Sequence, residues 1–237
     1  MKLLAFDTST ELISIAVTRV VDGVARVWQH TGAGGAQASS ALIPAIETLL
    51  AEAELTYGEL DAIAFGRGPG SFTGLRTACA VAQGLGFGAG VSLLPVDTLL
   101  AVAEEARAQQ APQAPALQVL ALLDARMDEL YAAPYDYAAG RWQQRADFGL
   151  YRPEQIPWQD GQALAGNVFA DYGERLPVPA AVPRWQALPT AAAMLRLAPA
   201  LLAAGNAVAA EQALPRYIRD KVALTTEERA AAKAALS

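Results

Sequence analysis

The sequence predicts an α/β protein of two lobes, each a mixed sheet flanked by helices. An apolar, strand-like run from Leu60 to Phe65 passes through a glycine-rich turn into a helical stretch that nothing interrupts between Leu75 and Phe87. A strand that ends in a carboxylate and then turns into a hairpin occurs twice, at Lys2 to Asp7 and at Val119 to Asp124, as a duplicated fold would have it. Between the copies lies Gln109-Gln110-Ala111-Pro112-Gln113-Ala114-Pro115-Ala116, a Pro- and Gln-rich connector that sets the lobe boundary. The 237 residues divide into a first lobe over 1–108, with 211–224 a candidate to rejoin it, a second lobe over 109–210 and a tail helix over 225–237.

The first segment reads as a β-meander. Lys2 to Asp7, Ile13 to Arg19 and Val24 to His30 are rich in β-branched and aromatic residues, and Val21-Asp22-Gly23 supplies turn chemistry between the last two. Asp7-Thr8-Ser9-Thr10 forms the first bend. A carboxylate with hydroxyls there can hold Mg²⁺ and phosphate, or it can close an Asx-turn on itself; both readings stand. After Gly32-Ala33-Gly34-Gly35 comes an amphipathic helix over 40–54, with Leu42, Ile43, Ile46, Leu49, Leu50 and Ala53 at helical spacing.

The turn Gly66-Arg67-Gly68-Pro69-Gly70-Ser71-Phe72-Thr73-Gly74-Leu75-Arg76 is the most constrained stretch. Gly66, Gly68 and Gly70 accept positive φ, Pro69 fixes one φ, and Ser71 or Thr73 can cap the helix that follows. A cradle for an anion and a tight capped connection both fit this pattern. Spacing favours the connection, because GxxxxGK[ST] and GxGxxG are absent and no lysine is at hand. The helix it opens is apolar nearly all round. Leu75, Ala78, Cys79, Ala82 and Leu85 make one face; Ala80, Val81, Gly84, Phe87 and Gly88 make another; Arg76, Thr77 and Gln83 are the polar remainder. Such a helix is covered on two sides, by its own domain or by a partner subunit.

A strand at Val91 to Val96 and a helix from Thr98 to Gln109, capped by Asp97, complete the first lobe. In the second, Leu130 to Tyr137 pairs with Trp142 to Gly149 across Ala139-Gly140, Pro153 opens a short helix, and Ala163 to Asn167 is a strand. Four prolines between Pro177 and Pro189 give irregular structure, and a helix from Thr190 is kinked or split by Pro199. Thr225-Thr226-Glu227-Glu228 is a capping box opening the tail helix.

Composition narrows the function. One cysteine, Cys79, excludes an internal disulfide and suits a reducing cytoplasm. No apolar run approaches the roughly 18 residues needed to span a bilayer, and the first residues enter a strand without signal-peptide architecture. A net charge of −6 opposes direct grip on a polyphosphate backbone. His30, beside Trp28 on a strand, reads as a surface residue.

Together, Leu3-Leu4-Ala5-Phe6-Asp7-Thr8-Ser9-Thr10, the string GPGSFTGLR (68–76), Asp124-Ala125-Arg126 with Glu129 and Tyr131, and Pro215-x-Tyr217-x-Arg219 resemble the TsaB (formerly YeaZ) family. The resemblance covers 1–131 and 211–222. It implies an actin-like ATPase fold of two RNase-H-like lobes and a non-catalytic, cytoplasmic partner of TsaD in making tRNA threonylcarbamoyladenosine next to the anticodon. It further implies a TsaB–TsaD heterodimer through helices matching 40–54 and 74–88, action with the ATPase TsaE, a homodimer when alone, and contact with tRNA only through the complex. On this basis the interface would hold Leu42, Ile46, Leu49, Arg76, Ala80, Val81, Gln83, Gly84 and Phe87. Nucleotide- or phosphate-proximal positions would be Asp7, Thr8, Ser9, Gly68, Gly70, Ser71, Thr73 and Gly74. ATP or ADP with Mg²⁺ would bind at subunit contacts, with no cofactor intrinsic to this chain. Where the family often has His-Ser or His-Thr before the first helix, this chain has Ala38-Ser39, so any role of that histidine is absent.

Catalytic and metal residues are expected to be none. TsaD-like relatives hold a metal with paired histidines in an HxxxH helix, which a single histidine cannot supply, and there is no GxSxG elbow or second nucleotide-gripping glycine loop. The competing class is a stand-alone ATP-dependent kinase or hydrolase using Asp7 and Asp124, or a glycoprotease-like peptidase.

Overall fold

The computed structural model describes residues 1–218. Within them, β1 (Leu3–Asp7), β2 (Leu12–Val21), β3 (Val24–Ala33), α1 (Ala38–Glu52), β4 (Ala62–Gly68), α2 (Phe72–Ala89), β5 (Leu93–Asp97) and α3 (Thr98–Gln110) precede β6 (Ala116–Asp124), β7 (Leu130–Ala138), β8 (Arg141–Gln144), β9 (Gly149–Tyr151), β10 (Ala163–Gly166), α4 (Phe169–Tyr172), β11 (Arg184–Gln186) and α5 (Ala191–Ala203). The tail helix expected from Thr225, its capping box and Arg219 lie outside the described residues.

The first sheet runs β3-β2-β1-β4-β5 and the second β8-β7-β6-β10-β11. In each, the central strand pairs antiparallel with the hairpin strand that follows it and parallel with the strand that crosses over: β1 with β2 and β4, β6 with β7 and β10. The duplication expected from the repeated strand–Asp–hairpin pattern is thus the topology of both sheets. This mixed, helix-flanked pair of sheets is the actin-like, RNase-H-like plan.

Alternation sets the layers. Leu4 and Phe6 of β1 point to one side, with Ile13, Ile15 and Val17 of β2, and are covered by Leu42, Ile46 and Leu49 of α1 and Ala78 and Ala82 of α2. Leu3 and Ala5 point to the other, where Ala191, Met194, Leu197 and Ala198 of α5 cover them. So α5, which falls by chain position in 109–210, packs on the first sheet, its first backbone N–H donated to Ser14 Oγ at 2.9 Å. Helix α3 is shared: Ala101 packs toward α5 and the first sheet, while Leu99, Val102 and Ala106 pack with Val119, Ala121 and Tyr135 of the second.

Several expectations need correction. Pro199 does not split α5, which runs on to Ala203 with Pro199 on its exposed side and Leu197 and Ala198 packed on the sheet. Asp97 precedes α3 without a side-chain cap, because its carboxylate is taken by Arg67 at 2.7 and 3.2 Å. The strand expected at Trp142 to Gly149 is two pieces, β8 and β9, and β7 pairs with both. A short strand, β11, forms within the proline-rich stretch, parallel to β10. Helix α2 begins at Phe72 rather than Leu75, with Ser71 as its cap. No helix among the described residues is long and apolar enough to cross a membrane.

Candidate functional site: an inter-lobe cleft and an uncovered helix face

The two carboxylate-ended strands meet at a cleft of about 410 Å³ between the lobes. One wall is Ser9, Thr10 and Glu11 with the Pro69 to Thr73 loop; the other is Leu123 to Met127, Tyr131 and Asn167. Arg216, Tyr217 and Ile218 close the end. Of the eight expected phosphate-proximal positions, Ser9, Gly70, Ser71 and Thr73 line the cleft. Asp7, Thr8, Gly68 and Gly74 do not: the structure places them behind it, in the packing that holds the loop.

That packing explains the glycines. A Cβ at Gly74 would lie 1.8 Å from the Thr8 carbonyl oxygen, one at Gly70 2.6 Å from Ser9 Cβ, and one at Gly68, where φ is +121°, 2.6 Å from the Arg216 carbonyl oxygen. The backbones of the loop, the first bend and the 216 segment therefore touch, and only glycine permits it. Thr8 Oγ1 donates to the Gly74 carbonyl at 2.7 Å, and the Ser71 N–H donates to the Ser9 carbonyl at 2.8 Å. The Gly68–Pro69 bond is cis.

Asp7 makes the Asx-turn. Its Oδ1 accepts from the Ser9 N–H at 2.8 Å and the Ser9 hydroxyl at 2.6 Å; its Oδ2 has no partner and points at Gly66, where a Cβ would lie 1.8 Å away. Burial pushes its carboxyl up to about 6, against the pull of the two Ser9 hydrogen bonds. A magnesium-nucleotide of the kind that actin-like folds hold does not fit this arrangement. The carboxylate faces the β4 backbone instead of the cleft, and among the described residues no group of three or more His, Cys, Asp or Glu comes together. Asp124 does line the cleft; its Oδ1 accepts from the Arg126 N–H at 2.8 Å and the Tyr172 hydroxyl at 3.3 Å.

Sequence reasoning passed over Asn167 and the part that Arg216 plays. Asn167 follows Gly166, the last residue of β10, and its Oδ1 accepts from the Asp124 N–H at 3.0 Å; the duplicated plan did not mark it, because Gly166 pairs with Leu122 whereas Gly66 follows the Phe6↔Phe65 pair. The Arg216 N–H donates to the Arg67 carbonyl at 2.7 Å, and its guanidinium pairs with Asp147 and stacks over Phe148. No local pattern announces such contacts.

The second feature is α2. Leu75, Ala78, Cys79 and Ala82 are buried, whereas Arg76, Ala80, Gly84, Phe87 and Gly88 face solvent, Phe87 at 84% exposure. Val81 and Gln83 are half-buried, and the Gln83 amide donates to the Ala213 carbonyl at 2.8 Å. Arg76 stacks on Phe72 and donates to the Tyr217 hydroxyl at 3.1 Å. Three residues grouped with the interface have another place: Leu42, Ile46 and Leu49 of α1 lie in this chain's own core, so a partner meets α1 through its outer side, where Ile43 is exposed. His30 is exposed on β3.

Two lobes of one strand plan, each with an Asx-turn at its central strand, define a member of the actin-like, RNase-H-like class. Over residues 29–233 the sequence matches the family described as TsaD: tRNA N6-adenosine threonylcarbamoyltransferase. It is 32% identical over 243 aligned positions to the tRNA threonylcarbamoyladenosine biosynthesis protein TsaB of Escherichia coli (strain K12), covering 94% of this chain and 96% of that one. The protein of the same description from Haemophilus influenzae is 33% identical, with 94% and 95% covered. The solved structure of YeaZ from Pseudomonas aeruginosa superposes with a TM-score of 0.80 at 38% identity, over 91% of this chain and 99% of that one. The chain belongs to the TsaB (YeaZ) family within the wider TsaD group.

Proposed function

We propose that this chain serves tRNA threonylcarbamoyladenosine biosynthesis as a non-catalytic subunit that binds a TsaD-type enzyme through α1 and α2. The role in making the modified nucleoside follows from the relatives' names and the extent of the match. The observation that carries the subunit role is the outer stripe of α2, where Ala80, Gly84 and Gly88 leave room for a second helix and Phe87 stands almost fully in water. The inward-turned Asp7 supports the same reading, since a carboxylate already bound to Ser9 and facing Gly66 is poorly placed for phosphoryl chemistry. ATP or ADP with Mg²⁺ then belongs at subunit contacts, a TsaE-type ATPase joins the pair, and tRNA is held by the complex.

The test is co-elution of the purified chain with its cognate TsaD-type protein in size-exclusion chromatography. Val81→Glu is expected to leave the chain folded, with its thermal midpoint within a few degrees, while weakening the complex at least tenfold. Unfolding would make this face core. ATP hydrolysis by the isolated chain, abolished in Asp7→Asn, would overturn the non-catalytic role in favour of the kinase or hydrolase class.

A further inference from the structure

Arg216 and Tyr217 are neighbours in the chain, yet their side chains hold opposite lobes. The Arg216 guanidinium pairs with Asp147 at 2.7 Å and stacks 3.9 Å over Phe148, both in the second lobe. Tyr217 turns to the first. Its ring centre lies 5.5 Å from that of Phe72, and its hydroxyl accepts from Arg76 Nε at 3.1 Å. The stretch around them is fastened at both ends. The buried Ala213 carbonyl accepts from the Cys79 thiol at 3.1 Å and the Gln83 amide at 2.8 Å, both on α2, while Ile218 packs on the apolar cluster that contains Tyr135 and Phe148.

We propose that residues 213–218 are a strap that sets the width of the inter-lobe cleft, latched by the Arg76–Tyr217 hydrogen bond on the outer side of α2. A partner that takes Arg76 with a carboxylate frees Tyr217, and with it the Arg216 grip on the second lobe, so the cleft opens. The release step deepens the reading of α2 as a binding face and rests on it.

The surfaces on either side of Phe72 carry the argument. Phe72 and Thr73 line the cleft and also an open groove on the outer side of α2 that continues through Arg76, Ala80 and Val81. Phe72 is therefore the wall between the two, and Tyr217 is stacked on it. Arg76 is the one charged residue lining that groove, which suits an acidic occupant. A neutral phenol is a weaker acceptor for a guanidinium than a carboxylate, which can take Nε and a terminal amino group together. An acidic side chain in the groove thus competes with Tyr217 for the same Nε. The strap is also held least where it has to move. Tyr217 is 44% exposed and the Asp147 side chain 72%, whereas Ala213 is fully buried and stays as the fixed end. The Arg126–Glu11 pair across the mouth is too exposed to resist, and α3, packed on both sheets, keeps the lobes joined as the cleft widens. An occupant that favours the unlatched form shifts the whole chain toward it.

The test is double electron–electron resonance on the full chain with nitroxides on Glu11→Cys and Arg126→Cys, which pair across the cleft mouth in the native protein; Cys79 is buried and takes no label. With the strap intact, a single short distance is expected. Tyr217→Phe, which removes only the latch hydroxyl, and Arg216→Ala should each raise the share of a longer distance about tenfold, a typical coupling between linked sites. Leu214→Ser, on the strap but 65% exposed, should not. Adding the cognate TsaD-type protein should lengthen the distance in the same way. If Arg216→Ala disturbs folding, Tyr217→Phe decides, because it keeps the ring on Phe72. An unchanged distance in Tyr217→Phe, or a cleft already wide with the strap intact, would overturn the strap. A partner that co-elutes yet leaves the distance unchanged would overturn its release from α2. Failure to co-elute would remove the reading of α2 as a binding face instead, and the strap would stand or fall on Tyr217→Phe.

Discussion

Asp7 and Asp124 end the central strands of the two lobes in the same way, each accepting the backbone N–H two residues on, yet their surroundings differ. Asp7 is sealed behind the loop with one oxygen unpartnered; Asp124 reaches the cleft and meets Tyr172. The neighbouring crossover strands repeat the contrast. Gly66 inside β4 presses on the Asp7 side chain, whereas Gly166 at the end of β10 presses on the Leu122 carbonyl, 1.9 Å from where a Cβ would sit. The first lobe carries the long helices α1 and α2 on its outer side, and the second has only the four-residue α4 in the place of α2. Duplication preserved the strand plan, because register and crossover dictate it. The strand ends and the helix layer were free to diverge, and there the lobes differ.

The largest expected effect separates the two glycines. Gly166→Ala drives a Cβ into backbone and should cost more than about 4 kcal/mol, at the extreme of single substitutions, with no side-chain change restoring it. Gly66→Ala meets a side chain, so the double variant with Asp7→Ala should recover much of the loss; denaturant unfolding of the three proteins checks this. If Gly166→Ala is tolerated, the contrast between the strand ends fails.

Next comes the element that both lobes share. Glu104 of α3 is buried, and although burial raises its carboxyl, hydrogen bonds from Arg107, Trp142 and Arg196 hold it below the usual carboxylate range. Glu104→Ala leaves the Trp142 indole N–H and the Nε groups of Arg107 and Arg196 unpaired, although Arg196 keeps Glu105 and Arg107 keeps the Pro112 carbonyl, and should cost about 3 kcal/mol in the same assay. Loss of the two-state transition, with one lobe melting first, would show that α3 couples them.

A comparable effect follows from pH. The Asp7 carboxyl loses its proton near 3.8 in the unfolded chain and near about 6 in the folded one. Between those values the folded state keeps a proton that the unfolded state has shed, so stability falls as pH rises through the window, by about 3 kcal/mol in all. Asp7→Asn should remove that slope, while Asp124→Asn should leave it in place. A slope that persists in Asp7→Asn would assign it elsewhere. The smallest effect is expected at the mouth of the cleft. There Arg126 pairs with Glu11 across the lobes with both side chains about three-quarters exposed, and Arg126→Ala should leave the thermal midpoint within error.

Much of this was legible along the chain. β-branched and aromatic content gave β1 and β2, continuous apolar runs gave β4 and β6, the glycine-rich string marked the sharpest turn, and the repeated Asp-ended strand foretold two sheets of like plan. What failed had one cause. Whether a helix carries on through Pro199 depends on the packing of its neighbours on the sheet, and whether Asp97 caps α3 depends on Arg67, thirty residues away. Which of the expected phosphate residues reach the cleft depends on how closely three backbones pass.

By itself the sequence determined the local conformations, because φ preferences, side-chain alternation and turn chemistry act over a few residues. Only the tertiary structure decided that Asp7 faces inward, that Arg216 and Tyr217 close the cleft, and that α2 keeps one side bare. Those outcomes rest on contacts between segments up to about 150 residues apart, whose geometry no short-range preference can fix.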